Sequence, residues 1–169
     1  MCGIAGWVGP PSAAPWEVSL HAMLDSLGHR GPDGIGLEIH PAHDGSTLVA
    51  LSHCRLAIID LAGGAQPMRS ADGCVVIFNG EIYNYRQLRA ELTTAGYSFT
   101  TQSDTEILLH GWRAWGETLL ERLRGMFAFA LWDPAQGQLF MARDRFGKKP
   151  LFLMDYAGGL AFASEIKAL

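Results

Sequence analysis

The residues Gly125-Met126-Phe127-Ala128-Phe129-Ala130-Leu131-Trp132 form an unbroken apolar run. A strand that met water on one face would alternate polar with apolar residues, so this one reads as interior. Asp133-Pro134-Ala135-Gln136-Gly137 follows and turns the chain into Gln138 to Ala142 as a hairpin. The other strand signals are Gly3 to Val8, stopped by Gly9-Pro10-Pro11, and Leu48 to His53 and Cys74 to Phe78, separated by the Gly63-Gly64-Ala65-Gln66-Pro67 loop. Leu151 to Met154 and Leu160 to Ala163 are two more. Helical spacing appears in Trp16, Leu20, Met23, Leu24 and Leu27, ended by Gly28, and in Tyr85 to Ala95, closed by Gly96. A further helix opens at Ser103, with Glu106 in a capping-box position, and runs through Trp115. His29 to Gly34 reads as a shaped loop. Strands in hairpin-like groups with helices between them predict an α+β fold with largely antiparallel sheets, rather than a βαβ array.

With 169 residues, the chain is expected to be one domain long enough to bury a core. At 49% hydrophobic and 18% charged residues it reads as compact and soluble rather than disordered. A net charge of −4, without blocks of like charge, points away from nucleic acid and anionic membrane surfaces. No apolar run is long enough to span a bilayer, and no secretory leader pattern opens the chain. Cys2, Cys54 and Cys74 are odd in number and lack a C-x-x-C pair, which argues against a disulfide framework or zinc site. A cytoplasmic location is therefore expected. Ser164 to Leu169 open a helix the chain does not complete, so its end is expected to be a cut within a longer protein.

Cys2 lies in Met1-Cys2-Gly3-Ile4-Ala5-Gly6. Removing one methionine would leave a cysteine carrying both a thiol and a free α-amine. Such an amine titrates near ~8, and a base with a pKa close to working pH moves protons efficiently. The residue would then activate its own sulfur, directly or through one water, as an N-terminal nucleophile. Read alone, Cys2 is also just a small residue after a start codon. Asn79-Gly80-Glu81 follows the apolar Val75-Val76-Ile77-Phe78. An Asn amide beside a glycine N–H at a strand end is a donor pair for a tetrahedral oxyanion. Asn-Gly is equally a hairpin signal, weakened here because Glu81-Ile82-Tyr83-Asn84 is no matching return strand.

Arg55, between Ser52-His53-Cys54 and Leu56-Ala57-Ile58-Ile59-Asp60, is either ion-paired, for example with Asp60, or waiting for an anion such as an α-carboxylate. Asp104 is a helix-cap candidate and, in the functional reading, an anion for a substrate ammonium. Arg143-Asp144-Arg145-Phe146-Gly147-Lys148-Lys149-Pro150 reads as a solvated loop or as a buried Arg–Asp pair holding strands together. The histidines show no metal spacing, and His53 is expected to be a satisfied structural group. A thiol with its own base, an oxyanion site, a carboxylate reader and an ammonium reader together describe hydrolysis of an amino-acid side-chain amide.

These stretches make the chain resemble the glutaminase domain of class II glutamine amidotransferases, most closely that of glutamine-hydrolysing asparagine synthetases. The matching motifs include Met1-Cys2-Gly3-Ile4, His29-Arg30-Gly31-Pro32-Asp33, His53 to Asp60, Gly64-Ala65-Gln66-Pro67-Met68, Phe78 to Asn84, Ser103-Asp104-Thr105-Glu106, Gly125 to Ala130, Arg143 to Gly147 and Ala163 to Leu169. Phosphosugar amidotransferase domains tend to show Arg-Trp or Arg-Tyr where this chain has Arg55-Leu56. The resemblance implies the N-terminal-nucleophile hydrolase fold, a four-layer αββα sandwich with two mostly antiparallel sheets over residues 1–169. It implies Cys2 as nucleophile, Asn79 and Gly80 as oxyanion hole, Arg55 for the glutamine α-carboxylate, and Asp104 with Glu81 for its α-ammonium. Backbone of Leu56, Ala57, Ile58 and Ile59 would line the same pocket. No metal or cofactor is implied for this domain. ATP and Mg would belong to a synthetase domain whose Ser-Gly-Gly-x-Asp-Ser loop does not occur here. Ammonia would go to aspartate or a similar carboxylate. The partners implied are L-glutamine and a synthetase domain, with homodimer formation left open and no nucleic acid or membrane. The alternative is a non-catalytic relative that only packs against a synthetase.

Overall fold

The computed structural model describes residues 1–12, 16–42, 45–61 and 63–169; the side chain of Trp16 lies outside the described set. One sheet has the order β2-β3-β1-β9-β8, from β1 (Gly3–Gly9), β2 (Gly34–Pro41), β3 (Leu48–Arg55), β8 (Phe152–Tyr156) and β9 (Gly159–Ala163). The other has the order β4-β5-β6-β7, from β4 (Met68–Arg69), β5 (Val75–Ile82), β6 (Gly125–Asp133) and β7 (Gln138–Arg143). Every pairing in both sheets is antiparallel. Helix α1 (Trp16–Leu27) covers the first sheet; α2 (Tyr85–Thr94), α3 (Thr105–Trp115) and the short α4 (Leu119–Arg122) cover the second. Among the described residues no helix is long and apolar enough to cross a membrane.

Strand period sorts the core into three layers. On β6, Phe127, Phe129 and Leu131 face α2 and α3, while Ala128, Ala130 and Trp132 face the other sheet. On β1, Ala5 and Trp7 meet α1, and Ile4 joins the inter-sheet layer. The interior strand read from the apolar run is therefore covered on both faces, giving the four-layer αββα sandwich.

Several local expectations are corrected. Strand β5 continues through Asn79 and Gly80, which pair with Ala128 and Phe127, so Asn-Gly is neither a turn nor a strand end. The pairing tolerates them because β6 runs alongside as far as Ile82↔Gly125. Strand β2 follows the His29 to Gly34 loop in a stretch to which the sequence reading assigned no element, with Ile35 and Ile39 on its exposed side. The capping box does not form: Glu106 instead accepts hydrogen bonds from the N–H and hydroxyl groups of Thr100 and Thr101. Ser103 Oγ accepts from Thr105 N–H. The last residues make one 3₁₀ turn, Ile166–Ala168, in place of an α-helix.

The loop after β7 is neither solvated throughout nor held by an Arg–Asp pair. Asp144 is buried and accepts from four backbone N–H groups, those of Phe127 (3.2 Å), Phe146 (3.1 Å), Lys148 (3.0 Å) and Lys149 (2.9 Å). Burial alone would push its carboxyl up, but these donors hold it below the ordinary range. A depressed folded-state value stabilises above the unfolded value, near ~3.9, and the benefit is lost on further acidification. Asp144→Asn, which puts an NH₂ against these donors, is expected to lose ~2 kcal/mol or more at pH 7. Chemical denaturation should show that difference shrinking below pH ~4; equal midpoints at pH 7 would dismiss the cage as a stabilising element.

Candidate active site

The inter-sheet layer becomes polar at one end. Val49 and Leu51 on β3, and Val75 and Ile77 on β5, face between the sheets. Extending each two-residue period brings His53 and Arg55, then Asn79 and Glu81, into the same layer, and stepping back from Ile4 brings Cys2. There a cavity of about 250 Å³ opens, walled by Cys2, Arg55, Leu56, Ile58, Ile59, Asn79, Gly80, Glu81 and Asp104. Of the site residues expected from the sequence, Ala57 is not part of this wall. Its N–H is turned to Asp33 Oδ2 at 2.8 Å, away from the cavity.

Cys2 Sγ rests on the Leu56 peptide groups, accepting its N–H at 3.3 Å and facing its carbonyl at 3.5 Å. Arg30 Nε–H donates to the Cys2 carbonyl at 2.9 Å, and Arg30 Nη1 pairs with Glu165 Oε1 at 2.6 Å. The residue that precedes β1 is thus pinned from two sides. Met1 is attached, so the Cys2 nitrogen is a peptide nitrogen, and the Met1 thioether accepts from Lys149 Nζ at 2.9 Å.

Asn79 is 1% exposed, and its Nδ2 has no hydrogen-bond partner. A buried amide left unpaired costs about 1–3 kcal/mol, so an acceptor is missing at this point of the cavity wall. A Cβ on the neighbouring Gly80 would stand 2.2 Å from the Met126 carbonyl oxygen, which requires glycine there. His53 lies behind this segment. Burial pushes it down to about 4, so the ring is neutral, and its Nε2–H donates to the Phe78 carbonyl at 3.1 Å. Its Nδ1 has no partner, so the expectation of a fully satisfied histidine holds for only one nitrogen.

Arg55 donates to the carbonyls of Asp60 (2.7 Å) and Leu61 (3.1 Å), while the Asp60 carboxylate accepts from the N–H groups of Gly63 and Gln102. Gly64 leaves the guanidinium room: a Cβ there would stand 2.7 Å from Arg55 Nη2. Asp104 is buried and accepts from Ile82 N–H at 2.9 Å instead of capping α3. Burial, with Glu81 nearby, pushes its carboxyl up, against the pull of that donor. It is an anion short of a cation.

Sequence reading assigned no role to Gln66 or Lys149. Gln66 Oε1 accepts from Phe78 N–H (2.6 Å) and its Nε2 donates to Thr105 Oγ1 (3.3 Å), joining the loop to β5 and α3 beside the cavity. The signal for both residues was present only as membership of motifs, Gly64 to Met68 and Arg143 to Pro150.

The Cys2 thiol, the unpaired Asn79 amide, the Arg55 guanidinium and the Asp104 carboxylate thus meet in one cleft of an αββα sandwich, the N-terminal-nucleophile hydrolase fold. The chain belongs to the glutamine amidotransferase domain family, whose model matches residues 1–169. This is the class of domain that hydrolyses glutamine and supplies its ammonia. Among its relatives is a glutamine-hydrolysing asparagine synthetase of Bacillus subtilis, 42% identical over 173 residues, covering 100% of this chain and 27% of the relative. A putative asparagine synthetase of Mycobacterium tuberculosis is 45% identical over 181 residues, covering 100% of this chain and 28% of that protein. The chain thus spans about a quarter of the length of the curated relatives it matches. The fold superposes on glutamine phosphoribosylpyrophosphate amidotransferase from B. subtilis with a TM-score of 0.81 at 26% identity, over 99% of this chain and 42% of that one.

The Arg30–Glu165 pair that anchors Cys2 has its own pH dependence. The Arg30 hydrogen bond holds the Glu165 carboxyl at about 2, below its unfolded value near ~4.3. Its stabilisation is fully present above the unfolded value and is lost as pH falls through about 2. Glu165→Gln is expected to lower stability at pH 7 by about 1–3 kcal/mol, the gap to the parent chain closing on acidification. Unchanged denaturation midpoints at pH 7 would remove this pair as an anchor.

Proposed function

We propose that Cys2, freed by removal of Met1, is the nucleophile that hydrolyses the glutamine side-chain amide in this cleft. The observation that carries the reading is the buried, unpartnered Asn79 Nδ2 in the same cavity wall as the Cys2 sulfur. The thiol proton passes to the α-amine of Cys2, directly or through one water, as sulfur bonds to the amide carbon. The carbonyl oxygen becomes an oxyanion, which accepts hydrogen bonds from Asn79 Nδ2 and the Gly80 N–H. Collapse breaks the C–N bond, the α-ammonium returns its proton to the leaving nitrogen, and ammonia departs. Water then attacks the thioester, with the amine again as base, and glutamate and the free thiol are regenerated.

Arg55 would hold the α-carboxylate of glutamine, and Asp104, with Glu81, its α-ammonium. The support is electrostatic: Arg55 is oriented by carbonyls that leave its charge available, and buried Asp104 gains a counter-ion when the ammonium arrives. Asparagine synthetases among the relatives support aspartate, or a similar carboxylate, as the acceptor. A synthetase domain carrying the ATP and Mg chemistry would then use the ammonia, in a cytoplasmic enzyme.

Cys2→Ala should abolish glutamine hydrolysis while leaving the fold intact, and activity within tenfold of the parent chain would sink the mechanism. Asn79→Ala and Arg55→Ala should separate binding from chemistry. An interaction made only with the oxyanion lowers kcat, by ~10²-fold or more for Asn79, with KM nearly unchanged. Losing a partner of the substrate carboxylate should instead raise KM, by an amount equivalent to ~2–5 kcal/mol. A flat kcat with raised KM in Asn79→Ala would make Asn79 a binding residue.

A further inference from the structure

Lys149 has no task in the reaction above, yet it is 4% exposed and lines the same cavity as Cys2. Lysines are almost never buried to this degree without a paired acid. The Asp144 cage fixes its position, since the Lys149 N–H is one of the four donors around that carboxylate. The side chain then runs into the cleft, where its ammonium donates to the Met1 thioether, a weak acceptor. Among the described residues no carboxylate forms an ion pair with it. Removing Met1 takes away that sulfur and turns the Cys2 peptide nitrogen into an α-amine.

We propose that Lys149 is the positioning charge that keeps the freed α-amine of Cys2 neutral at working pH, and therefore able to take the thiol proton. The inference rests on the reading of Cys2 as a terminal nucleophile. An ammonium fixed in the same cleft penalises a second positive charge beside it, and the same field favours an anionic sulfur. The proton leaves the α-amine first, because α-amines titrate at ≈ 7.7–8.0 and lysine at ≈ 10.4. Burial, and after it Arg30, holds Lys149 below the ordinary lysine range, against the pull of Cys2, Asp144 and Glu81.

The other charged or titratable groups around Cys2 leave this role open. Arg30 is tied to Glu165, and Arg55, whose charge the Asp60 and Leu61 carbonyls leave uncancelled, is committed to the substrate carboxylate in the proposed reaction. Burial pushes the Cys54 thiol up and His53 down, so both favour their neutral forms, and Glu81 and Asp104 are acids that cannot supply a positive field.

The test uses the chain with Met1 removed, confirmed by mass, and two readouts. One is the pH profile of kcat/KM for glutamine; the other is the pH profile of Cys2 alkylation by iodoacetamide, which needs no substrate. Lys149→Met should move the acid limb of both profiles up by about 1 unit, a loss of about tenfold below the limb that disappears at alkaline pH. Lys149→Gln should shift them in the same direction, which covers a folding failure of the methionine variant, and Lys149→Arg should return the limb to its original place. Loss of activity that is even across pH, with unmoved alkylation, would reduce Lys149 to a structural role and overturn the proposal. Lys149→Arg as inactive as Lys149→Met at every pH would make a neutral lysine the base, which also overturns it. Hydrolysis surviving in Cys2→Ala would instead sink the underlying mechanism, so the two failures are distinguishable.

Discussion

The contact between the inner faces of the two sheets governs both the stability and the chemistry of this domain. Ile4, Val49, Leu51, Val75, Ile77 and Phe162 fill that layer over most of its length. The same side-chain parity, carried a few residues further, delivers Cys2, Arg55 and Asn79 to its open end. A slip of one residue would turn each of these side chains to the opposite face of its sheet. The long registers Gly3↔Cys54 to Gly9↔Leu48 and Val75↔Trp132 to Ile82↔Gly125 prevent that slip. Burial of an ordinary apolar layer thereby does the aligning that a catalytic site needs to within fractions of an ångström.

Buried acids fall into two groups by how well they are satisfied. Asp133 accepts from Trp112 Nε1, from two Arg113 nitrogens and from Ala135 N–H; Glu106 and Asp144 each accept four hydrogen bonds. These groups are complete without any ligand. Asp104, at the cavity wall, has the Ile82 N–H and weaker help from its own and the Thr105 backbone, and burial still pushes its carboxyl up. Asn79 lacks an acceptor and Lys149 an acid. Unmet polar demand in the cleft is what a zwitterionic substrate and its transition state can supply, at the cost of a less stable empty site.

The residues that share the cavity wall were more legible in the sequence than the geometry that gathers them. Cys2, Arg55, Asn79 and Asp104 stood out because each is a reactive or polar residue in an otherwise apolar setting. The extent of β5 was not, since Asn and Gly are poor strand residues and only the pairing with β6, distant in sequence, explains them there. The capping box at Ser103 failed for a related reason: Thr100 and Thr101 compete for Glu106 through the fold of the preceding loop. Strand β2 does alternate at Ile35, Leu37 and Ile39, but its glycines and the exposure of two of those residues hide it. Lys149 was invisible as a site residue because its burial depends on a loop wound around Asp144.

Arginine partners show how the fold assigns its charges. Arg113 binds the carboxylates of Asp133 and Asp72, so its charge is neutralised and its work is structural. Arg30 pairs with Glu165 while its Nε–H steers the Cys2 carbonyl, an intermediate case in which one side chain both ion-pairs and positions. Arg55 donates to the Asp60 and Leu61 carbonyls, which orient the guanidinium but cancel none of its charge. A carbonyl is a dipole rather than an ion, so the fork is fixed in place before a carboxylate arrives and loses little freedom on binding it. Orientation by dipoles and neutralisation by ions are thus separated in space, and the group kept unneutralised is the one that lines the cavity.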